Sequence, residues 1–290
     1  MLLNPVVLLM RSLKVSDVKL TREQVSQAYA AAVESESCCG SPASKGVAAK
    51  LAGYDEALLR ELPADAVVNS FGCGNPVAFA GISEGEAVLD LGSGAGIDLL
   101  LAAKKVGRSG SVIGIDMTDE MLAKARENIE AAGVENVEVR KGIIEELPVA
   151  DSSVDWVISN CVINLSPEKD KVFAEIARVL KPGGRMSVSD IVADDLPDWV
   201  KSDDVLYNSC IGGAISEADY VAGLRAAGLA DVVVEERLPY DSVQMEELLV
   251  SDIAEASTSS CCGPTSADPR DIAEAVTGKV WSARVTARKP

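Results

Sequence analysis

The stretch AVLDLGSGAG, residues 87–96, constrains this chain more than any other. Five residues suited to a buried strand run straight into Gly92-Ser93-Gly94-Ala95-Gly96, and a helical pattern begins at Ile97. A glycine-rich turn in that place lets a ligand reach the backbone, because no Cβ stands in the way. Around it, short apolar runs alternate with longer helical ones, the signature of βαβ units on a parallel sheet. Strands are predicted at 87–91, 111–116, 137–141, 154–159 and 185–190, with connecting helices near 97–106, 119–132 and 168–180. Lys181-Pro182-Gly183-Gly184 is expected to stop the last of these helices. The pattern predicts an α/β fold with a mostly parallel sheet.

The flanks read differently. Thr21-Arg22-Glu23-Gln24 has the form of a capping box, which predicts a helix over 21–33. A Ser, Gly and Pro-rich arm follows and presents Cys38 and Cys39. A helix is predicted around 54–62, then the segment FGCGNP, which holds Cys73 between two glycines. Beyond residue 192 come helical stretches near 196–208 and 216–227, a strand at 231–237, a helix at 244–256 and a strand at 281–288. A second Ser-rich loop, STSSCCGPTSADP, carries Cys261 and Cys262. This gives an N-terminal helix and mobile arm over 1–50, a ligand-binding domain over 51–192, and a C-terminal region over 193–290 that supplies Cys210 and closes the sheet. Trp156 is expected in the core and Trp281 at the start of the closing strand.

Hydrophobic residues make up 48% of the chain and charged residues 25%, which excludes disorder throughout. The net charge of −18 repels phosphate backbones and anionic lipid, so neither a nucleic acid nor a membrane partner is expected. The opening MLLNPVVLLMRSL is too short to span a bilayer and lacks the marks of a secretory leader, so a cytoplasmic location is expected. In that reducing setting the seven cysteines should be thiols or soft-ion ligands rather than structural disulfides.

In a dinucleotide fingerprint the third glycine would stand at position 97, which is Ile97, so the spacing here is G-x-G-x-G. Asp116, twenty positions beyond Gly96, ends the next strand, where a carboxylate can accept both hydroxyls of a ribose. This set resembles the S-adenosylmethionine-dependent methyltransferases. The resemblance implies a class I, Rossmann-like fold in which Asp90, Gly92, Ser93, Gly94 and Gly96 line the cofactor. Asp116 would then hold the ribose, Met117 would pack on the adenine, and Ile144 and Glu145 would flank it. Strand-end capping, common for isolated acids, is the alternative for Asp90 and Asp116 and ranks well below cofactor binding here. Asn160 and Asn164 flank Cys161 and suit orienting the cofactor or the loop by hydrogen bonds, or only capping the strand end.

The segments FGCGNP, VLDLGSGAGID, GIDMT, SNCVINLSPEKDKVFAEIARVLKPGG and CIGGA carry the resemblance further, to the arsenite methyltransferases, from about residue 50 to residue 230. It implies that Cys73, Cys161 and Cys210 hold trivalent arsenic, that arsenite or its glutathione or other thiol conjugate is the acceptor, and that thioredoxin or glutathione is the reductant. The residues supply a partly independent argument. Arsenite is soft and thiophilic, and three thiolates satisfy its three bonds. Cys161 lies just past the carboxyl end of the fourth strand, the edge where open α/β sheets bind ligands. An arsenic lone pair needs no general base, in keeping with a chain that has no histidine. Zinc would call for C-x-x-C pairs, whereas Cys38-Cys39 and Cys261-Cys262 are adjacent. Those pairs suit capture of arsenite, a disulfide relay, or no role at all. Each single cysteine is also compatible with a small buried apolar residue. Two rival functions stand beside this one: methylation of a quinone or sterol-like acceptor, and non-catalytic binding of arsenic or a soft metal.

Overall fold

Apolar residues on both faces of the predicted strands demand cover on both sides, and the chain supplies it. The computed structural model describes residues 15–34, 54–246, 249 and 268–290. Strands β1 (Ala87–Leu91), β2 (Ser111–Asp116), β3 (Val137–Lys141), β4 (Val154–Asn160), β5 (Leu180–Ala193), β6 (Ala230–Pro239) and β7 (Val280–Arg288) form one sheet. Its order is β3-β2-β1-β4-β5-β7-β6. The first five pair in parallel, and β7 runs antiparallel between β5 and β6. This is the mostly parallel sheet of a class I methyltransferase fold.

Alternation along the strands sets the two cores. Leu89, Leu91 and Val157 face one cluster with Phe173 and Tyr220, while Val88, Trp156 and Ile158 face a second with Ile97 and Leu100. Helices α2 (Ile97–Val106), α3 (Asp119–Ala132), α4 (Lys169–Val179) and α5 (Glu217–Ala226) cover these faces. They follow an N-terminal helix α1 (Val15–Glu34) and precede α6 (Pro269–Val276). A third apolar cluster sits at the carboxyl edge of the sheet and includes Val25 of α1 along with Cys73, Cys161 and Cys210.

Several predicted boundaries move. Thr21 lies inside α1, which begins six residues earlier at Val15, so the capping-box reading fails. The predicted helix over 54–62 is two short ones, Glu56–Leu59 and Ala64–Val68, and that over 196–208 breaks into Asp198–Lys201 and Asp204–Asn208. Lys181-Pro182-Gly183-Gly184 belongs to β5, not to a loop, because Leu180 already pairs with Val154. Helix α6 occupies sequence expected to be loop or left unassigned, and most of the predicted helix over 244–256 lies outside the described residues. Among the described residues no helix is long and apolar enough to cross a membrane.

Candidate functional site

At the carboxyl edge of β1, the glycine turn folds back on the next strand. Gly92, Gly94 and Gly96 have φ of +63°, +51° and +96°, a region L side chains seldom adopt. Asp116 closes this turn from the end of β2: one carboxylate oxygen accepts from the Gly94 amide at 3.0 Å and the other from the Thr118 amide at 2.9 Å. A Cβ at Gly94 would meet nothing within 4 Å, so the backbone there faces open space. That space is a cleft of about 970 Å³.

All ten residues expected to bind the cofactor line this cleft: Asp90, Gly92, Ser93, Gly94, Gly96, Asp116, Met117, Ile144, Glu145 and Asn160. Cys161 lines it as well. The roof was not expected from the sequence. Arg22, Val25 and Tyr29 of α1 also line the cleft, so this helix lies over it. Arg22 reaches Glu145 at 3.1 Å and Glu168 at 2.7 Å, and Glu145 accepts from the Ser166 hydroxyl at 2.5 Å. Ser26 and Thr118 hydroxyls meet at 3.3 Å, and the Tyr29 ring stands edge-on to Phe71.

The cleft is lined by several carboxyl groups. Asp90 and Asp98 are buried on its wall, and Asp116 is half-buried there. Burial, and then the charges of Asp98 and Asp116, hold the Asp90 carboxyl well above the usual range. Burial pushes Asp98 up to about 6, against hydrogen bonds from Asn160 and Tyr54 that lower it. Burial likewise raises Asp116, against the amides it accepts from. Asp90 Oδ2 is buried with no hydrogen-bond partner among the described residues. An orphaned carboxylate oxygen and a field of three acids fit a cationic ligand with amine and hydroxyl donors, as S-adenosylmethionine is.

The three cysteines meet beside this cleft from positions 73, 161 and 210. Cys73 and Cys161 are joined as a disulfide with Cα atoms 5.8 Å apart, and the Cys210 thiol donates to the Cys161 carbonyl oxygen at 2.6 Å. The disulfide departs from the expectation of thiols throughout; these two sulfurs lie close enough to bond. Cys161 and Cys210 both have left-handed backbones, with φ of +59° and +65°. Cys161 is fixed where β4 ends, its amide donating to Ser189 O at 2.8 Å. Gly213 lets the Cys210 loop lie against the Asn164 carbonyl, a place no side chain would fit. Asn164 in turn donates to Asp190 at 2.8 Å, and Lys169 donates to Asn164 O at 3.1 Å. Burial raises Asp190 to about 7 and lowers Lys169 to about 8, each moderated by the other's charge. Asn164 therefore supports the cysteine loops and is not a simple strand cap. Cys38, Cys39, Cys261 and Cys262 lie outside the described residues.

Comparison with known proteins agrees with this geometry. A family model described as a methyltransferase domain matches residues 82–240. An arsenite methyltransferase of Halobacterium salinarum is 46% identical over 233 residues, which are 75% of this chain and 59% of that protein. Another, from Aquipseudomonas alcaligenes, is 39% identical over 227 residues, 74% of this chain and 63% of that one. The chain therefore spans less than two thirds of either relative. The crystal structure of an arsenic(III) S-adenosylmethionine methyltransferase from Chlamydomonas reinhardtii aligns with a TM-score of 0.59 at 35% identity, covering 84% of this chain and 72% of that one. The domain match and the specific relatives point the same way, and the chain belongs to the arsenite methyltransferase family.

Proposed function

We propose that this protein transfers a methyl group from S-adenosylmethionine to trivalent arsenic held by Cys73, Cys161 and Cys210, as a step in arsenic detoxification. The observation that supports it is the convergence of three sulfurs from distant stretches at the edge of one acidic, glycine-lined cleft. Arsenite or its thiol conjugate is the acceptor in this reading. Each cysteine that binds replaces one hydroxyl of arsenite, so three thiols form three As–S bonds and release three waters.

Bound S-adenosylmethionine would supply the sulfonium methyl. The chain's residues do the rest. Asp116 and the Gly94 backbone place the ribose and amino-acid portions, and the unpartnered Asp90 oxygen accepts from the ligand's amine. Helix α1 covers the adenine end through Arg22 and Val25. Ile144 and Met117 supply apolar wall, which excludes water from that end. Cys161, on the cleft wall, aims the arsenic lone pair at the methyl carbon; attack is productive at roughly 3–3.5 Å. The arsenic lone pair would form the As–C bond, the electrons of the sulfonium C–S bond would stay with the cofactor's sulfur, and the arsenic acceptor would become pentavalent. Cys73 and Cys161 would return the two electrons to arsenic as they leave it and pair as a disulfide, and a thiol reductant, thioredoxin or two glutathiones, would reopen that disulfide before the next round.

Purified protein, reduced and incubated with arsenite, glutathione and S-adenosylmethionine, should yield methylated arsenic on chromatographic speciation with elemental detection. Absence of methylarsenic alongside intact S-adenosylmethionine binding would overturn the acceptor assignment and leave a methyltransferase of another small molecule. Failure to bind S-adenosylmethionine in calorimetry would instead favour a non-catalytic arsenic binder.

A further inference from the structure

Asn160 was expected to orient the cofactor or the loop, or only to cap β4; its amide is committed to the loop. Nδ2 donates to Gly74 O at 2.7 Å, and Oδ1 accepts from Gly74 N at 3.1 Å. That two-bond exchange is what one strand residue makes with its partner in an antiparallel ladder, here with a side chain standing in for backbone. The same Nδ2 lies 2.9 Å from the Tyr54 hydroxyl and 3.1 Å from Asp98 Oδ2. Tyr54 donates to both Asp98 oxygens, at 2.9 and 3.0 Å, and both residues are buried. The amide is thus fixed in rotation, with its two N–H groups spent inside the protein.

What it grips is the loop of Cys73. Gly72 lies flat on the Asn160 amide, so closely that any Cβ there would collide with it. Gly74 gives both its backbone groups to that amide, and a Cβ on it would collide with Ser189. From the other side the Ser282 hydroxyl donates to Cys73 O at 3.1 Å. None of these contacts involves a cysteine sulfur, so opening the disulfide removes none of them. Asn160 itself directly precedes Cys161.

We propose that the Asn160 amide, oriented by Tyr54 and Asp98, is a positioning group that keeps Cys73 within bonding reach of Cys161 when both are thiols. The inference rests on reading these cysteines as acceptor ligands. After the first As–S bond forms, the second is intramolecular, and its strength depends on the effective concentration of the waiting thiol. A loop already tied down loses little further freedom when it binds, so affinity is gained without any new contact to arsenic. Asn160 acts through Cys73 and needs no contact with the acceptor.

The disulfide equilibrium measures this property without arsenic. Full-length protein is equilibrated in glutathione buffers of graded ratio, and the Cys73–Cys161 disulfide is quantified by thiol alkylation and mass spectrometry. Asn160→Ala should lower the effective concentration of the pair about tenfold, raising its potential by roughly 30 mV for this two-electron couple. Tyr54→Phe, which keeps the ring and loses the hydroxyl, should move the potential the same way by a smaller step. Tyr54 lies off the cleft lining, so this variant serves if Asn160→Ala does not fold, as judged by circular dichroism. A potential unchanged in every folded variant overturns the proposal. Arsenite affinity of the reduced proteins is measured in parallel. A potential shifted in the variants, with a parent protein that does not bind arsenite, would defeat only the acceptor reading.

Discussion

Cys161 and Cys210 hold backbone angles that cost a non-glycine residue about 1–3 kcal/mol each, and such strain persists only where the surroundings enforce it. Here the enforcement is visible: Ser189 O takes the Cys161 amide, and the Cys161 carbonyl takes the Cys210 thiol. Serine at 210 keeps that hydrogen bond and the size but replaces a soft ligand by a hard one. Cys210→Ser should therefore fold, bind S-adenosylmethionine in calorimetry as the parent does, and lose arsenite methylation about 100-fold or more in kcat/KM. Full activity would remove Cys210 from the ligand set. A second prediction concerns Asp98, whose folded pKa of about 6 stands above its ordinary 3.8. The folded state then binds the proton more tightly, so this group's contribution to stability is complete below its ordinary value and is lost as pH rises toward the folded one. Asp98→Asn should gain melting temperature relative to the parent as pH climbs from about 4 to about 6, and hold a constant difference above that. A difference that does not change with pH would mean that folding does not raise the Asp98 pKa. The residues that line the cleft at the strand ends were legible in sequence because the hydrophobic runs set the register of those strands. Tyr54, Asp98 and Arg22 were not, since their meaning lies in contacts 44 and 123 residues apart in the chain.

At the scale of elements, the strands were legible because apolar runs bounded by glycine have few alternatives, and β1, β2 and β3 fall where the pattern puts them. Helix starts were harder. A capping box marks a start only if nothing upstream continues the helix, and Val15–Leu20 does. The start of α6 had a sound signal in Asp268-Pro269, an N-cap accepting from the Arg270 amide with proline in the first turn, but it was masked by the Ser-rich loop around it. Least legible was the docking of α1 over the cleft, because a helix's own sequence does not name its partner. Arg22 makes that docking testable. Its guanidinium bridges Glu145 and Glu168, and removing it leaves the Glu145 carboxylate, 5% exposed, without its cation. Arg22→Ala should weaken S-adenosylmethionine binding by about fivefold in calorimetry, mainly through faster dissociation, while arsenite affinity of the reduced protein holds. Unchanged cofactor affinity would show that α1 does not close the site. Gly72→Ala tests the floor in the same way. Its Cβ forces the Cys73 loop off Asn160, and overpacking of this kind costs about 1–3 kcal/mol, readable as a lower denaturant midpoint.

Across the whole molecule, 45 acidic side chains face 27 basic ones. Many basic groups are already spent in surface pairs such as Arg178–Asp151, Arg237–Glu217 and Arg288–Asp231. Exposed pairs of that kind contribute about 0–1 kcal/mol each, whereas the surplus of negative charge repels itself over the entire surface. Salt weakens both terms, and at a net charge of −18 the repulsion is the larger. The contacts that shape the site lie in less exposed ground: the Asn160 amide, the Asp116 turn and the Arg22 bridge are at least partly buried and are screened much less. Salt should therefore stabilise the fold without loosening the cleft. Raising sodium chloride from about 0.05 M to about 1 M shortens the Debye length from roughly 14 Å to roughly 3 Å and should lift the melting temperature by several degrees. S-adenosylmethionine affinity should fall only modestly over that range, as its attraction to Asp90, Asp98 and Asp116 is local. A melting temperature that drops with salt would mean the surface pairs outweigh the repulsion, and a steep loss of cofactor affinity would place those three acids in contact with bulk solvent.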